Sequence, residues 1–336
     1  LTEQVLVTGA TGFIGHHLVQ HLIQRGDQVT CLVRPTSDTS TLDRSNLQFA
    51  VGDMNDPQSL RAALAKAEVV YHLAAALTAR RPQDFQRVNT AGLAGLAEAC
   101  AQQPNPPILV ILSSLAAAGP SPAGRPRTEG DPAAPVSHYG RSKLAGEQAA
   151  QAHASQVPVT IVRASWVFGE WDRDTLAIFR TVRYGLHLVP VARSNRYSLI
   201  HAADLADFLV LAAQRGQRCG PDLPPGGGLY YAAAEPALDY AGIGQMAAAA
   251  MERRRPRVLH LPRLLTLAMA GVPQLLSSAL GRPPSIINLD KAREGFAGSW
   301  VCSAEKARRQ LGFSPTAPLA DRMRQTASWY REQGWL

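Results

Sequence analysis

Lysine is scarce in this chain: of 34 basic residues among 336, only Lys66, Lys143, Lys291 and Lys306 are lysines. Cysteine is sparse too. Cys31, Cys100, Cys219 and Cys302 stand far apart, a spacing that excludes a metal knuckle or a disulfide framework and predicts free thiols in a reducing cytoplasm. No metal site is expected. Charged residues make up only 18% against 46% hydrophobic, which excludes a disordered chain. An uncharged apolar run of about 20 residues is also missing. Leu261–Leu280 comes nearest, but Arg263, Gly271, Pro273 and Gln274 interrupt it. It reads as a core or lid helix, and membrane contact is not expected. No basic and apolar leader precedes the first apolar run, which predicts no secretory signal. Positive charge is in excess, +8 formally, with Arg253, Arg254, Arg255 and Arg257 clustered. No nucleic-acid-binding motif accompanies that cluster, so no nucleic-acid partner is expected.

The first half alternates short apolar runs with helical patterns, as in a doubly wound parallel sheet. Strands are expected at Gln4–Thr8, Gln28–Val33, Gln48–Val51, Glu68–Leu73, Ile108–Leu112 and Val159–Arg163. Each is nearly all apolar, which fits a sheet covered by helices on both faces. Between them the spacing predicts helices from about Gly12 to Arg25, from Asp56 to Ala67 and, without a break, over Gln83–Gln102. Further on, Asp172–Tyr184 and Ala203–Arg215 read as helices, Tyr197–Ile200 and Leu229–Ala233 as extended, and Cys219–Gly228 as a Pro/Gly-rich loop. The remainder reads as mostly helical. The fold class is therefore α/β, a Rossmann-type sheet with a smaller helical lobe for substrate. Residues 1–169 would form the dinucleotide-binding unit, with 197–235 returning to it, and 170–196 with 236–336 the substrate lobe.

Thr8-Gly9-Ala10-Thr11-Gly12-Phe13-Ile14-Gly15 falls where the first strand turns into a helix. Gly9 suits the tight turn, Gly12 lets backbone approach a pyrophosphate, and Gly15 lets the helix pack on the strand. The N–H groups around Thr11, Phe13 and Ile14 then open the helix as an anion site. An NAD enzyme usually carries an acid at the end of the second strand; here Val33-Arg34-Pro35 carries none. Arg34 can bond a 2′-phosphate and stack on adenine, which favours NADP(H), with NAD(H) as the alternative. Asp53, followed by Met54, can accept from the adenine amino group, and Leu73-Ala74-Ala75 leaves room for ribose and diphosphate. A polyanionic dinucleotide also gives the positive charge a use.

Tyr139-Gly-Arg-Ser-Lys143 carries the chemistry. Residues four apart share one helical face, so phenol and ammonium can enter one site. Lys143 is expected to lower the phenol's pKa towards the range useful for proton transfer and to hold the nicotinamide ribose. In so lysine-poor a chain, arginine would have been the default cation. Ser113-Ser114 ends the fifth strand, where a hydroxyl can donate to a substrate oxygen as charge develops on it.

Taken together and in order, the glycine motif, Asp53, His72-Leu73-Ala74-Ala75, Asn89, Ser-Ser, Tyr139-x-x-x-Lys143 and Arg163 through Gly169 resemble the extended short-chain dehydrogenase/reductase superfamily over nearly the whole chain. The resemblance implies a catalytic trio of Ser114, Tyr139 and Lys143. It matches Ser114 rather than Ser113 by counting back from Gly119, and places Asn89 as a structural residue or part of a proton relay. It also implies a homodimer. Nucleotide-sugar members have asparagine where Trp166 stands and arginine where Tyr197 stands. The segments around Arg34 and Tyr197 look instead like dihydroflavonol reductases and 3β-hydroxysteroid dehydrogenases, so Trp166, Phe168 and Tyr197 are candidates for an apolar substrate wall. The expected activity is an NADP(H)-dependent oxidoreductase interconverting a hydroxyl and a ketone on a rather apolar small molecule. A nucleotide-sugar epimerase or dehydratase that recycles its cofactor is the alternative. A cofactor sensor without turnover would not need the intact trio.

Overall fold

A computed structural model describes residues 2–43, 46–192, 194–279 and 288–336, and the side chains of these except 276–279. Strand β1 (Gln4–Thr8) feeds helix α1 (Phe13–Gln24), followed by β2 (Gln28–Val33), β3 (Leu47–Val51), α2 (Pro57–Leu64) and β4 (Val69–His72). Helix α2 starts as its sequence predicts: the Asp56 side chain accepts from Gln58 N, with proline at the first helical position. The long helix expected over 83–102 is instead three pieces: α3 (Pro82–Phe85), a π-helical turn (Gln86–Ala91) that contains Asn89, and α4 (Gly92–Ala101). Periodicity cannot announce a π turn, because one inserted residue merely shifts the apolar stripe.

Strand β5 (Ile108–Ser114), α5 (Leu115–Ala118), α6 (His138–Gln151), β6 (Val159–Ala164) and β7 (Trp166–Phe168) follow. Next come α7 (Arg173–Val182), β8 (Leu186–Val189), β9 (Arg196–His201), α8 (Ala202–Arg215) and β10 (Leu229–Ala232). The central sheet has seven strands in the order β10-β6-β5-β4-β1-β2-β3, all parallel. Side chains alternate through it. Leu6, Val70, Leu109, Ile111 and Ile161 meet α2 and α4 on one face. Val5, Val7, Cys31, Tyr71 and Val162 meet α1 and α8 on the other. Both faces being covered explains why the strands read as unbroken apolar runs. The order reverses at β1, so the carboxyl ends of β1 and β4 flank the crevice in which such sheets bind ligands.

The chain closes with β11 (Ala234–Asp239), α9 (Tyr240–Ala250), β12 (Arg257–His260), α10 (Arg263–Ala279), α11 (Leu289–Phe296), α12 (Glu305–Leu311) and α13 (Leu319–Glu332). Strands interrupt this expected helical remainder: β11 joins β9 and β7 in a small sheet, and β12 pairs with β8. Both lie largely at the surface and lack the unbroken apolar run of a buried strand. The Leu261–Leu280 segment forms α10, apart from Leu280, which lies outside the described residues. Among the described residues no helix is long and apolar enough to cross a membrane.

Candidate active site

The loop after β1 is shaped by its glycines. Gly9 has φ +74° and lies so close to the turn after β4 that a Cβ there would stand 2.7 Å from Ala74 N. A Cβ on Gly15 would stand 2.3 Å from Gly9 O, so α1 can only close on its own loop through glycine. Gly12 is different: an added Cβ would meet only Gly9 O, at 3.3 Å. It is exposed and serves as the N-cap of α1 without any side-chain cap, and no acid occupies the first turn. The first-turn N–H groups after Thr11, from Phe13 and Ile14 on, thus keep the backbone donors and partial positive charge that bind a phosphate. These residues fit a diphosphate.

Around that loop, Arg34 is exposed at the end of β2, its N–H donating to Ser37 Oγ at 3.1 Å. The Asp53 carboxylate accepts from Asn55 N (2.8 Å) and Asn55 Nδ2 (2.9 Å), which hold its pKa below the usual value, with Arg34 adding a smaller pull. Met54 packs on α4 at Gly92. Leu73, Ala74 and Ala75 are half-buried after β4. His72, buried, shares a 2.9 Å hydrogen bond with Thr8 Oγ1; burial, aided by Lys143, depresses its pKa to about 3 and keeps it neutral. His16 was not foreseen here: it bridges Gly12 O and Thr41 Oγ1 and stacks on Trp171 with centroids 4.8 Å apart.

At the end of β5 the two serines part. Ser113 is buried and donates in a short hydrogen bond to Glu147, which also holds Arg163 at 2.6 Å. Ser114 caps α5 by accepting from Ala116 N (3.1 Å), and its hydroxyl draws the Tyr139 pKa down against the effect of burial. Helix α6 brings Tyr139 there through two close approaches. A Cβ on Gly140 would stand 2.3 Å from Ala116 O, and one on Gly146 would stand 2.2 Å from Asn89 O. The Asn89 side chain joins these parts, donating to Ala76 O (3.0 Å) and Ser142 Oγ (2.9 Å) and accepting from Ala76 N (2.7 Å).

Lys143 follows one turn on, buried, its Nζ donating to Leu112 O at 2.8 Å. Burial pushes its pKa down to about 8. Burial also raises the Tyr139 pKa, and the cation that opposes the rise is Lys291, 5.0 Å from the ring centroid. Lys291 lies on α11 and pairs with Glu294 at 2.9 Å. The same helix caps α6: the Asp290 carboxylate accepts from His138 N (2.9 Å) and Tyr139 N (3.0 Å). Glu294 accepts from Ser137 Oγ at 2.6 Å, the Ser137 hydroxyl in turn accepting from Gly140 N. Sequence reading had α11 only as part of a mostly helical remainder and gave Lys291 no role, although the scarcity of lysine, which marked Lys143, marks Lys291 equally.

Trp166 and Tyr197 come together edge to face, 5.9 Å apart, with Tyr240 tilted against Trp166 at 5.8 Å. Trp166 Nε1 donates to Thr175 Oγ1 at 3.3 Å, and Tyr197 bridges to Trp300, whose indole donates to Glu294 O. The aromatic group therefore abuts α11. Phe168 is fully buried and packs its ring on His201, 5.3 Å away. Among the described residues no cluster of three or more His, Cys, Asp or Glu side chains is suited to a metal ion.

Sheet order, glycine loop and Ser/Tyr/Lys placement define a dinucleotide-dependent enzyme of the short-chain dehydrogenase type. Residues 5–222 match the NAD dependent epimerase/dehydratase family, and the chain belongs to that family, within the extended short-chain dehydrogenase/reductase superfamily. It is 32% identical over 333 residues to a ceramide reductase of Caulobacter vibrioides, covering 99% of this chain and 96% of the relative. It is 29% identical to the sterol demethylase protein B of Methylococcus capsulatus, covering 98% and 99%. The fold is shared with the UDP-glucose 4-epimerase of Thermus thermophilus in complex with NAD (TM-score 0.75, 23% identity, 98% and 99% covered).

Proposed function

We propose that this enzyme is an NADP(H)-dependent oxidoreductase that interconverts a hydroxyl and a ketone on a rather apolar small molecule. The observation that carries the reading is the convergence at the carboxyl edge of the sheet of Ser114, at the end of β5, with the buried Tyr139 and Lys143 of α6, whose Gly140 packs on Ala116 and whose Lys143 Nζ donates to Leu112 O. When bound, the nicotinamide donates or accepts the hydride. Gly9, Thr11, Gly12, Phe13, Ile14 and Gly15 hold its diphosphate, Asp53, Met54, Leu73, Ala74 and Ala75 line the nucleoside portions, and Arg34 faces the 2′-phosphate. Ser114 donates to the substrate oxygen. Tyr139, kept protonated by burial, gives its proton to that oxygen in the reductive direction and recovers it from solvent. Lys143 holds the ribose, and Lys291 stabilises the phenolate. The apolar character of the substrate is supported by the Trp166–Tyr197–Tyr240 group and by the ceramide- and sterol-named relatives.

Two measurements test this. Tyr139→Phe should reduce turnover about 10²–10⁴-fold while cofactor affinity holds; full activity on the true substrate would end the mechanism. NADPH should bind more tightly than NADH, and Arg34→Ala should weaken NADPH while leaving NADH nearly unchanged, because only NADPH loses a charge-assisted contact to its 2′-phosphate. Equal binding of both by the unaltered protein would remove the preference.

A further inference from the structure

Helix α10 turns its apolar side outward. Thr266 and Ala270, one turn apart, are buried at its inner face. Leu264, Ala268, Val272 and Leu275, spaced i, i+4, i+8 and i+11, form a stripe on the opposite side, and all four are exposed. Leu264 keeps 82% and Leu275 72% of its surface in water, and Leu265 and Met269 widen the stripe. An apolar surface of this extent marks an interaction site.

The segment that leads into it is basic. Arg253, Arg254, Arg255 and Arg257 are exposed on the segment leading into α10 through β12, and none has a carboxylate partner among the described residues. Exposed Leu259 lies on β12, and Tyr184, 77% exposed, adjoins it where Gly185 O accepts from Arg257 N.

We propose that the outward side of α10, together with the basic segment that leads into it, docks onto the surface of an anionic lipid bilayer. Leucines flanked by arginines and an aromatic residue are the chemistry of a helix lying in the headgroup region. The charges that exclude a spanning helix favour a surface one. A second copy of the chain suits the face poorly, because a twofold contact would bring two unpaired arginine clusters together.

The placement has a use. Gln274 Oε1 of α10 accepts from Leu289 N at 3.0 Å, and Arg263 lies over the Phe296 ring, 4.9 Å from its centroid. Both partners are on α11, the helix that sets Lys291 over Tyr139. One helix thus separates the bilayer face from the phenol, a short route for an apolar substrate.

Flotation of the full chain with vesicles tests the proposal without cofactor or substrate, so its outcome is separate from that of the hydride-transfer reading. The protein should float with phosphatidylcholine–phosphatidylglycerol vesicles and bind about tenfold or more weakly to phosphatidylcholine alone. Arg253→Gln/Arg254→Gln/Arg255→Gln and, separately, Leu264→Gln/Leu275→Gln should each weaken binding to a similar extent, with unchanged circular dichroism and thermal midpoint. Failure of the unaltered protein to float, or equal binding to both vesicle types, overturns the proposal without any variant. So does an oligomer that Leu264→Gln/Leu275→Gln dissociates while vesicle binding persists; the face is then a contact between copies.

Discussion

Ser113 and Ser114 show how much one residue step decides. Ser113 sits inside the strand and donates to Glu147 of the Glu147–Arg163 pair, whereas Ser114, one step nearer the carboxyl edge, caps α5 and draws the Tyr139 pKa down. In the proposed reaction Ser114→Ala removes a donor to the substrate oxygen and should lower turnover about 10²-fold or more, with cofactor affinity unchanged. Ser113→Ala takes a donor from a buried carboxylate and should cost about 1–3 kcal/mol of stability while sparing turnover. Steady-state rates and urea melts on both variants make the comparison. Loss of turnover in Ser113→Ala with Ser114→Ala active would reverse the register. The trio, the glycine loop and Asp53 could be proposed from sequence because each chemistry demands a residue type at a fixed local spacing. Lys291 was not, since it reaches Tyr139 from a distant helix and no local pattern announces it.

Helix α11 acts on α6 as a unit. Asp290 takes two N–H groups of its first turn, Glu294 holds Ser137, and Lys291 covers the phenol. Ser137 is the N-cap of α6, but the second acceptor at that end comes from tertiary structure, beyond any capping rule. Likewise α6 closes on the π turn at Asn89, an approach that Gly146 permits and that no local pattern announces. If Tyr139 is the general acid/base, removing the cation that counters its raised pKa should raise that pKa further. Lys291→Met should then move the rising limb of the oxidation rate to higher pH and slow oxidation a few-fold at neutrality. Lys291→Arg should restore most of the rate. A pH profile superimposable on that of the unaltered enzyme would show that Lys291 does not act on the phenol.

At the scale of the whole molecule, the seven-stranded sheet was readable because burial on both faces leaves unmistakable apolar runs. The strands β11 and β12 and the outward face of α10 were not: the first two lie largely at the surface without an apolar run, and an apolar helix stripe does not say which way it turns. Stability against pH is a property of the whole molecule that one buried group should bend. Asp172, the N-cap of α7, accepts from Asp174 N and Thr175 N, yet burial raises its pKa to about 6. Between about pH 4 and 6 the folded state keeps a proton that the unfolded chain has released, so stability falls as pH rises through this window. The loss amounts to about 3 kcal/mol, taking two units at 1.36 kcal/mol each. Asp172→Asn keeps an acceptor at the cap and removes the titration. Its urea midpoint should match that of the unaltered protein near pH 4 and exceed it at pH 7. A variant less stable at pH 7 would mean that the carboxylate is satisfied as an anion and that the cap gains from its charge.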